Sequence, residues 1–574
     1  MLWILDAALV LGLGGLLVSG RLSTARCFTL FIIAVLATGR IGFDDAIDRL
    51  VTPAIIAVTS LVVIAGALTR LPGLPQLFFG RKPRSLRATL ARFLGLTAAT
   101  SAVTPNTAVV AALLGPAARR PNLDPRSLLL PLSYMALAGG MLTPFGTSAS
   151  LMVTGEAARH DVILTVLDFV LPGLAVVLAV FATLVLTAPI FLKPRKDAAA
   201  SEADIFHVEA RLAADSPLIG KAVSANRLRH LHSFFLAEVV RGDRLITPVY
   251  PGLVLMADDR LIFVGDVSHI DELQSIPGLT IQPETQQGPP GELFHAVISA
   301  QSLLRGRTLR ESDFRARFNA SVMAVRRAEG RLSGKLGDIR LRTGDVLILA
   351  AGPDFGSRDN VRPNLHILDT ESPGAQPMRP RDAWALGLSF LVFLGVALTQ
   401  LIPFHIAAMG LATVTVGLNW ASPREVRRTF PFDLIIALWG AVLLSLLLER
   451  SGAAQLAGSF IGDVTTGLPP VFALAAIFLF AWGMTELFSN ASAALTALPI
   501  GLATADLLGL PPEAFALACA FGASASFLMP FGYQTHLMVL TPGQYRLSDF
   551  LLLGGTVFIA YAVASLSALT LIYL

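Results

Sequence analysis

Two short polar segments, each lying within an apolar stretch, have the residue types needed to bind small ions inside a membrane. Thr104-Pro105-Asn106-Thr107 interrupts the apolar stretch 93–118, and Ser489-Asn490-Ala491-Ser492 interrupts the stretch 471–508. In the first stretch each limb has about 11 residues, too few to cross a bilayer, which takes about 20, and the second stretch repeats the same design. Pro105 also disfavours a helix that continues through the first segment. We therefore predict two re-entrant hairpins, and call the two polar segments their tips.

A hairpin tip can hold an anion without any basic side chain. A helix that begins there offers free N–H groups and the positive end of its dipole, while hydroxyl and carbonyl oxygens suit a coupling cation. Unwound backbone is tolerated at membrane depth only where it lines a cavity. We predict further unwound backbone at two other breaks, Pro144-Phe145-Gly146 and Pro530-Phe531-Gly532. Near these four segments the only basic side chain is His536.

The tips and breaks belong to an internal repeat. Pro144 lies 38 positions after Asn106 (144 − 106), and Pro530 lies 40 positions after Asn490 (530 − 490). Two other pairs of segments recur in the same order in the two halves of the chain: Leu151-Met152-Val153 with Leu537-Met538-Val539, and Asp168-Phe169 with Asp549-Phe550. Three matches in one order indicate a duplicated unit.

Composition divides the 574 residues into membrane, soluble and membrane parts. The chain is 54% hydrophobic and only 15% charged, whereas charged residues make up about a quarter of soluble proteins. The charges concentrate in the middle, so we predict membrane repeats at 1–192 and 382–574 around an insert at 193–381. Two cysteines exclude a disulfide framework. We find no Walker motif, zinc cluster or hydrolytic triad and predict no enzyme, and the basic clusters beside apolar spans argue against nucleic-acid binding.

The predicted fold is a polytopic α-helical membrane protein with two inverted repeats, each of about five spans plus one hairpin (about 93–118 and 471–508). Basic loops stay in the cytoplasm; such loops carry Arg81, Lys82, Arg84, Arg87 and Arg92 in the first repeat and Arg424, Arg427 and Arg428 in the second. This places the insert in the cytoplasm and both termini outside a cell inner (plasma) membrane. The predicted spans are 2–20, 27–39, 51–69, 127–155, 162–192, 383–402, 404–420, 431–449, 511–541 and 550–573.

The insert contains a tandem repeat of its own. Leu218-Ile219-Gly220 matches Leu304-Arg305-Gly306, and the segment 259–264 matches 345–350, with the same offset of 86 both times (306 − 220 and 345 − 259). Alternating apolar residues between turns predict short strands. We expect two small α+β copies, at about 203–281 and 289–370, followed by a linker back to the membrane.

The motifs of the membrane halves resemble those of the divalent anion:sodium symporter family. Thr485-Glu486-Leu487-Phe488-Ser489-Asn490-Ala491 resembles the second hairpin motif of that family, and the segments 527–536 and 542–550 resemble the next family motifs along the chain. Thr143–Ser148 resembles the matching motif of the first half. The insert is similar to a pair of TrkA C-terminal (RCK-type) ligand-binding domains.

This resemblance implies sodium-coupled import of a small divalent anion, sulfate or a dicarboxylate, by the elevator movement of a homodimer in the lipid bilayer. It also implies a small cytosolic ligand at the TrkA-like copies. The residues it implies for sodium are Asn106 and Gly146 at one site and Ser489, Asn490 and Gly532 at the other. The residues it implies for the anion are Asn106, Thr107, Thr147, Ser489, Asn490 and Thr535.

The two tips depart from the family pattern, because Pro105 and Ala491 stand where hydroxyl residues are expected. A proton carried near Glu486 or His536 is therefore an alternative to sodium. Export of arsenite or another oxyanion, and a membrane sensor with a decayed transport core, are alternative functions. The bland interpretations are that Asn106 and Asn490 only cap helices, that Glu486 is a structural acid, and that His536 is a satisfied core residue.

Overall fold

A computed structural model describes most of the chain. The described residues are 2–19, 22, 24–68, 74–79, 85–118, 123–193, 206–213, 215–226, 228, 231, 234–242, 244–246, 249–265, 271–281, 293–299, 302–327, 330–331, 336–352, 354–355, 358, 360–368, 378–399, 401–421, 430, 432–487 and 489–574. The basic residues Arg81, Lys82, Arg84, Arg424, Arg427 and Arg428 lie outside them. The predicted orientation across the membrane therefore still depends on the sequence alone.

Apolar helices make up both ends of the chain. Those before the strands are α1 (Leu2–Ser19), α2 (Thr24–Ala37), α3 (Phe43–Asp48), α4 (Pro53–Leu68), α5 (Leu74–Phe79), α6 (Leu86–Ser101), α7 (Asn106–Ala118), α8 (Arg126–Gly139), α9 (Ser148–Ala157) and α10 (Val166–Phe191). Three short helices lie among the strands: α11 (Asp271–Gln274), α12 (Phe314–Phe318) and α13 (Val361–Asn364).

The helices after the strands are α14 (Pro380–Thr399), α15 (Phe404–Gly417), α16 (Phe432–Arg450), α17 (Ala453–Thr465), α18 (Val471–Leu487), α19 (Asn490–Leu508), α20 (Pro512–Ala523), α21 (Gln534–Leu540), α22 (Leu547–Asp549) and α23 (Gly555–Tyr573). In the described part of the chain, 6 helices are long and apolar enough to cross a membrane. Shorter apolar helices accompany them, and the chain is a multi-pass membrane protein.

One helix ends and another begins at both tips, but each break lies a little before the predicted segment, since α6 ends at Ser101 and α18 ends at Leu487. Asn106 is the first residue of α7 and Asn490 is the first residue of α19, so each asparagine begins a helix instead of lying in a loop. The side chain of Ser489 caps α19, because its Oγ accepts a hydrogen bond from the backbone N–H of Ser492. Phe488 lies outside the described residues.

The predicted spans 127–155 and 511–541 are each split into two shorter helices. The first separates α8 from α9 around Pro144-Phe145-Gly146, and the second separates α20 from α21 around Pro530-Phe531-Gly532. The sequence analysis did not predict the short helix α17. A helix of 13 residues is too short to be found as a span.

The two ends of the chain pack against each other helix by helix. α10 packs along α23, α2 along α16, and α4 along α15. Each hairpin also receives a helix from the other end, since α9 packs on α19 and α21 packs on α7. The residues before and after the strands therefore form one apolar core.

The strands lie in two five-stranded antiparallel sheets. The first contains β1 (Phe206–Leu212), β2 (Phe234–Arg241), β3 (Arg244–Ile246), β4 (Arg260–Gly265) and β5 (Leu279–Ile281) in the order β3-β2-β4-β1-β5. The second contains β6 (Leu293–Ile298), β7 (Ala320–Arg327), β8 (Gly330–Arg331), β9 (Val346–Ala351) and β10 (Leu365–Ile367) in the order β10-β6-β9-β7-β8. Read from its other edge, the second sheet has the same strand order as the first, with β6–β10 in the places of β1–β5.

Details of the two sheets repeat as well. The register shifts between Leu236 and Glu238 in β2, and between Val322 and Ala324 in β7. Each of these strands also ends on an arginine that pairs with a buried aspartate: Arg241 Nη2 lies 2.8 Å from Asp259 Oδ2, and Arg327 Nε lies 2.7 Å from Asp345 Oδ1. Both pairs follow the offset of 86 (327 − 241 and 345 − 259).

Candidate functional site

The first tip is joined to the first break through Asn106. Its side chain is buried, with 2% exposed, and one end of its amide lies among three oxygen atoms. With Nδ2 at that end, the amide donates to Ser101 Oγ at 2.6 Å, to the Ala136 carbonyl at 3.1 Å and to the Gly146 carbonyl at 3.2 Å. With Oδ1 there instead, four oxygen atoms face one another, which is a set that a small cation can bind.

Glycine is required where the first break approaches the tip. A Cβ at Gly140 would lie 2.6 Å from Asn106 Oδ1, and a Cβ at Gly146 would overlap the backbone of Gly140. The hydroxyl of Thr147 caps α9 by accepting from the N–H of Ser150 at 3.0 Å. Thr107 is half-buried on the first turn of α7. The predicted residues Asn106, Gly146 and Thr147 are therefore neighbours.

The second tip has the same internal bond as the first. Thr485 Oγ1 donates to Asn490 Oδ1 at 2.9 Å, and Ser101 Oγ lies 2.6 Å from the amide of Asn106, so each asparagine contacts a hydroxyl five positions before it. The Nδ2 of Asn490 is buried without a hydrogen-bond partner. Ser489 next to it is exposed. The sequence analysis missed Ser101 and Thr485, although their equal spacing from the two asparagines could have found them.

A carboxylate lies at the second break. Glu486 accepts hydrogen bonds from the backbone N–H groups of Leu528, at 3.3 Å, and Met529, at 3.2 Å. A Cβ at Gly532 would lie 3.2 Å from Glu486 Oε2 and would overlap the hydroxyl of Ser526. The hydroxyl of Ser526 is buried without a hydrogen-bond partner, as is that of Ser524. Buried polar atoms without partners are costly, so these two hydroxyls can take a water molecule or an ion as partner.

The two halves meet at Asn106 and Tyr533. The phenol oxygen of Tyr533 lies 3.2 Å from the other end of the Asn106 amide. Tyr533 follows Gly532 directly and precedes α21. The first tip is thus bonded to the second break, and this contact brings parts of both predicted sites together.

Thr535 and His536 lie in an interior network instead of at an open surface. Both side chains are fully buried. Ser133 Oγ lies 2.7 Å from Thr535 Oγ1 and 2.7 Å from His536 Nδ1, while His536 Nε2 lies 2.6 Å from the carbonyl of Ser526. A neutral imidazole with its proton on Nε2 satisfies these contacts when the hydroxyl of Thr535 donates to Ser133 and that of Ser133 donates to Nδ1. The arrangement favours the structural interpretation of His536, and the proposed role of Thr535 in anion binding stays a prediction.

A buried ion pair joins the two halves away from the tips. Arg126 Nη2 lies 2.5 Å from Asp549 Oδ1, and both side chains are less than a tenth exposed. Arg126 also donates to the carbonyl of Gln544 at 3.0 Å, and Asp549 accepts from the N–H of Arg546 at 2.7 Å. The guanidinium is therefore neutralised locally and is not available to an anion at the tips.

Comparison with known proteins gives one family match. Residues 14–522 match the model of the citrate transporter (CitMHS) family. A candidate sulfur deprivation response regulator of Chlamydomonas reinhardtii is 30% identical, over 94% of this chain and 96% of that protein. An uncharacterized transporter of Synechocystis sp. is 28% identical, over 95% of this chain and 93% of that protein. Sodium/sulfate cotransporter 1 of Chlamydomonas reinhardtii is 28% identical, over 63% of this chain and 42% of that protein.

Proposed function

Because the chain belongs to the citrate transporter family, we propose that it imports a small divalent anion, sulfate or a dicarboxylate, together with sodium. The observation that carries this proposal is the group of three oxygen atoms within 3.2 Å of one end of the Asn106 amide, which would become a cation site if the amide turned its Oδ1 toward them. Similarity to a protein named as a sodium/sulfate cotransporter supports both the ion and the anion. The unpartnered polar groups near Asn490 support a second binding position.

The proposed coupling has an energetic reason. Moving one charge across 100 mV changes its free energy by about 2.3 kcal/mol, so a dianion that enters a negative interior costs about 4.6 kcal/mol. Two sodium ions that enter with it cancel this cost. Two cation positions, one at each tip, would meet that requirement.

The binding positions would be built from residues that the structure brings together. Asn106, Gly146 and Ser101 would hold the first sodium ion. Asn490, Gly532 and Ser489 would hold the second, beside Glu486. The free N–H groups at the starts of α7 and α19, with Thr107 and Thr147, would hold the anion between the tips.

The remaining parts of the proposal concern movement and control. In this account the hairpins and the helices that pack on them move as one body past the other helices, in a homodimer. The strands at 206–367 lie in the cytoplasm and adjust transport when they bind a small ligand. Similarity of those strands to TrkA C-terminal domains motivates this part of the proposal.

The name of one relative favours a second candidate function. A protein named as a sulfur deprivation response regulator is similar along nearly the whole chain, so a membrane sensor with no transport of its own is the alternative. The altered tips, with Pro105 and Ala491, also fit a decayed transport core. Measurement of transport separates the two functions.

The test is uptake by the purified full chain reconstituted in lipid vesicles. We expect an inward sodium gradient to drive accumulation of radiolabelled sulfate or succinate, and unlabelled citrate, phosphate and arsenite to rank the competitors. A proton gradient without sodium should drive little uptake. If folded protein in sealed vesicles accumulates none of these solutes in either gradient, the sensor hypothesis replaces the transporter.

Glu486→Gln is expected to weaken the apparent affinity for sodium about tenfold, the usual size of effect for a group beside a metal ligand. The amide keeps an acceptor for only one of the two N–H groups, those of Leu528 and Met529, and removes the negative charge beside Gly532. The apparent affinity is measured by titrating sulfate uptake with sodium. Asp506→Asn, at an exposed acid near the far end of the same hairpin, is the control. A wild-type response in Glu486→Gln would show that the carboxylate is only structural.

A further inference from the structure

The second sheet rests directly on the membrane helices through three residues, Val297, Gly344 and Val346, here called the docking face. Val297 and Val346 are buried, with 0% and 5% exposed, and belong to the same apolar cluster as the membrane helices. A Cβ at Gly344 would lie only 2.6 Å from the carbonyl oxygen of Leu537 in α21. Strand β10 of the same sheet packs on α7.

The first sheet carries charged residues at the equivalent positions. Subtracting 86 from 297, 344 and 346 gives Arg211, Asp258 and Arg260. Arg211 and Arg260 are cross-strand partners in the first sheet, as Val297 and Val346 are in the second. Their side chains are 51% and 47% exposed, and that of Asp258 is 77% exposed.

In the described part of the chain, these exposed charges form ion pairs within the first copy. Arg211 Nη2 lies 2.9 Å from Asp258 Oδ1, and Arg260 Nη1 lies 3.1 Å from Glu209 Oε1. Because ionised side chains are costly to bury, the first sheet cannot present this face to the apolar helices. The two copies share a fold but differ in what this face can contact.

At Gly344, contact with the membrane helices, and not the backbone conformation, excludes a side chain. Its φ of +85° lies in the left-handed region, yet Asp258 adopts a φ of +65° at the equivalent turn. The turn therefore accepts an aspartate. What excludes a side chain at position 344 is the backbone of Leu537, with Thr541 Oγ1 4.0 Å from the same Cβ position.

The two helices under the docking face lead straight to the candidate site. α7 begins at Asn106, and α21 begins one residue after Tyr533, whose phenol bonds to Asn106. We propose that the second copy alone transmits the state of the insert to the anion site, by holding α7 and α21 in register through its docking face. This inference rests on the proposed function, and it assigns the regulation of transport to the second copy.

In this account the first copy acts only through the second. The two sheets pack together where Phe235 and Ala237 of the first meet Met323, Ala324, Ile348 and Ala350 of the second. A small ligand or a partner subunit that displaces the first copy would shift the second copy on α7 and α21. Loss of docking would loosen the asparagine–tyrosine contact and weaken anion binding.

The test gives the second copy the residue that the first copy has. Gly344→Asp in the full chain is expected to speed amide hydrogen exchange in residues 106–118 and 534–541 at least about tenfold. It should also raise the KM for labelled sulfate about fivefold or more, the lower end of ordinary allosteric coupling. Gly306→Asp is the matched control, because Gly306 has a φ of +76° with open space around it.

A second substitution distinguishes loss of docking from misfolding of the second copy. Val297→Arg also copies the first sheet and should give the same two changes, while exchange in strands β6 and β9 stays as in the wild type. Unchanged exchange in α7 and α21 in both variants would overturn the docking. Faster exchange with an unchanged KM would overturn its coupling to the site. If the wild type itself transports nothing, the proposed function fails, whereas the exchange measurement still decides the docking.

Discussion

Alanine at Asn106 is expected to lower sodium-driven anion uptake at least about a hundredfold, near the upper end of effects seen around metal ligands. The substitution removes the amide that lies within 3.2 Å of Ser101, Ala136 and Gly146 on one side and of Tyr533 on the other. It leaves the buried oxygen atoms of the first break facing an empty space. Uptake of labelled sulfate into vesicles under a sodium gradient measures the effect.

The choice of replacement at Asn106 separates two roles of the amide. Asn106→Asp keeps an oxygen for a cation and should retain more uptake than Asn106→Ala if the four oxygen atoms bind sodium. If the amide only donates hydrogen bonds, Asn106→Asp should be at least as damaging as Asn106→Ala. Ser565→Ala is the control, because its hydroxyl is also buried but unpartnered in α23. Uptake by Asn106→Ala at the rate of this control would exclude Asn106 from the site.

Breaking the buried ion pair is expected to cost about 3–5 kcal/mol of stability, because it leaves one charge buried without its partner. Arg126→Met and Asp549→Leu should each lower the midpoint of thermal unfolding in detergent by about 3–4 °C. The double variant should recover much of the loss, since no unpaired charge remains. The pair joins α8 to α22, so each single variant weakens the contact between the two halves.

An exposed ion pair provides the control for this effect. Arg450 Nη2 lies 2.7 Å from Asp45 Oδ2, but both side chains are more than two-fifths exposed. Arg450→Met should therefore change the free energy of unfolding by less than about 1 kcal/mol. Equal losses in Arg450→Met and Arg126→Met would show that burial does not decide the strength of the pair at Arg126.

The general plan of the membrane helices could be predicted from the sequence because bilayer thickness fixes helix length. Interrupted apolar stretches and Pro105 gave the location of both tips to within about two residues. The prediction of a membrane transporter is confirmed by the family match. The helix starts could not be predicted to the residue, since a capping residue such as Ser489 moves a boundary without changing the apolar pattern.

Contacts between the halves could not be predicted from local patterns. Arg126 and Asp549 are 423 positions apart, and the partner of Asn106 lies at Tyr533. Which residues meet is decided by helix packing, and in the sequence Asp549 stands out only as part of a repeated segment. The offset of 86 predicts two copies in the insert region, and the same offset pairs Gly344 with Asp258, a difference that the sequence analysis did not use.

The central claim is that an anion binds between the two tips, and substrate protection of a cysteine at Ser489 tests it most directly. The two native cysteines are buried, so Ser489→Cys in a Cys27→Ala, Cys519→Ala background gives one exposed thiol. We predict that sulfate or succinate with sodium slows its labelling by a water-soluble maleimide, while a cysteine at the exposed Leu468 stays unprotected. Labelling of Ser489→Cys at the same rate with and without every anion of the panel would contradict the account.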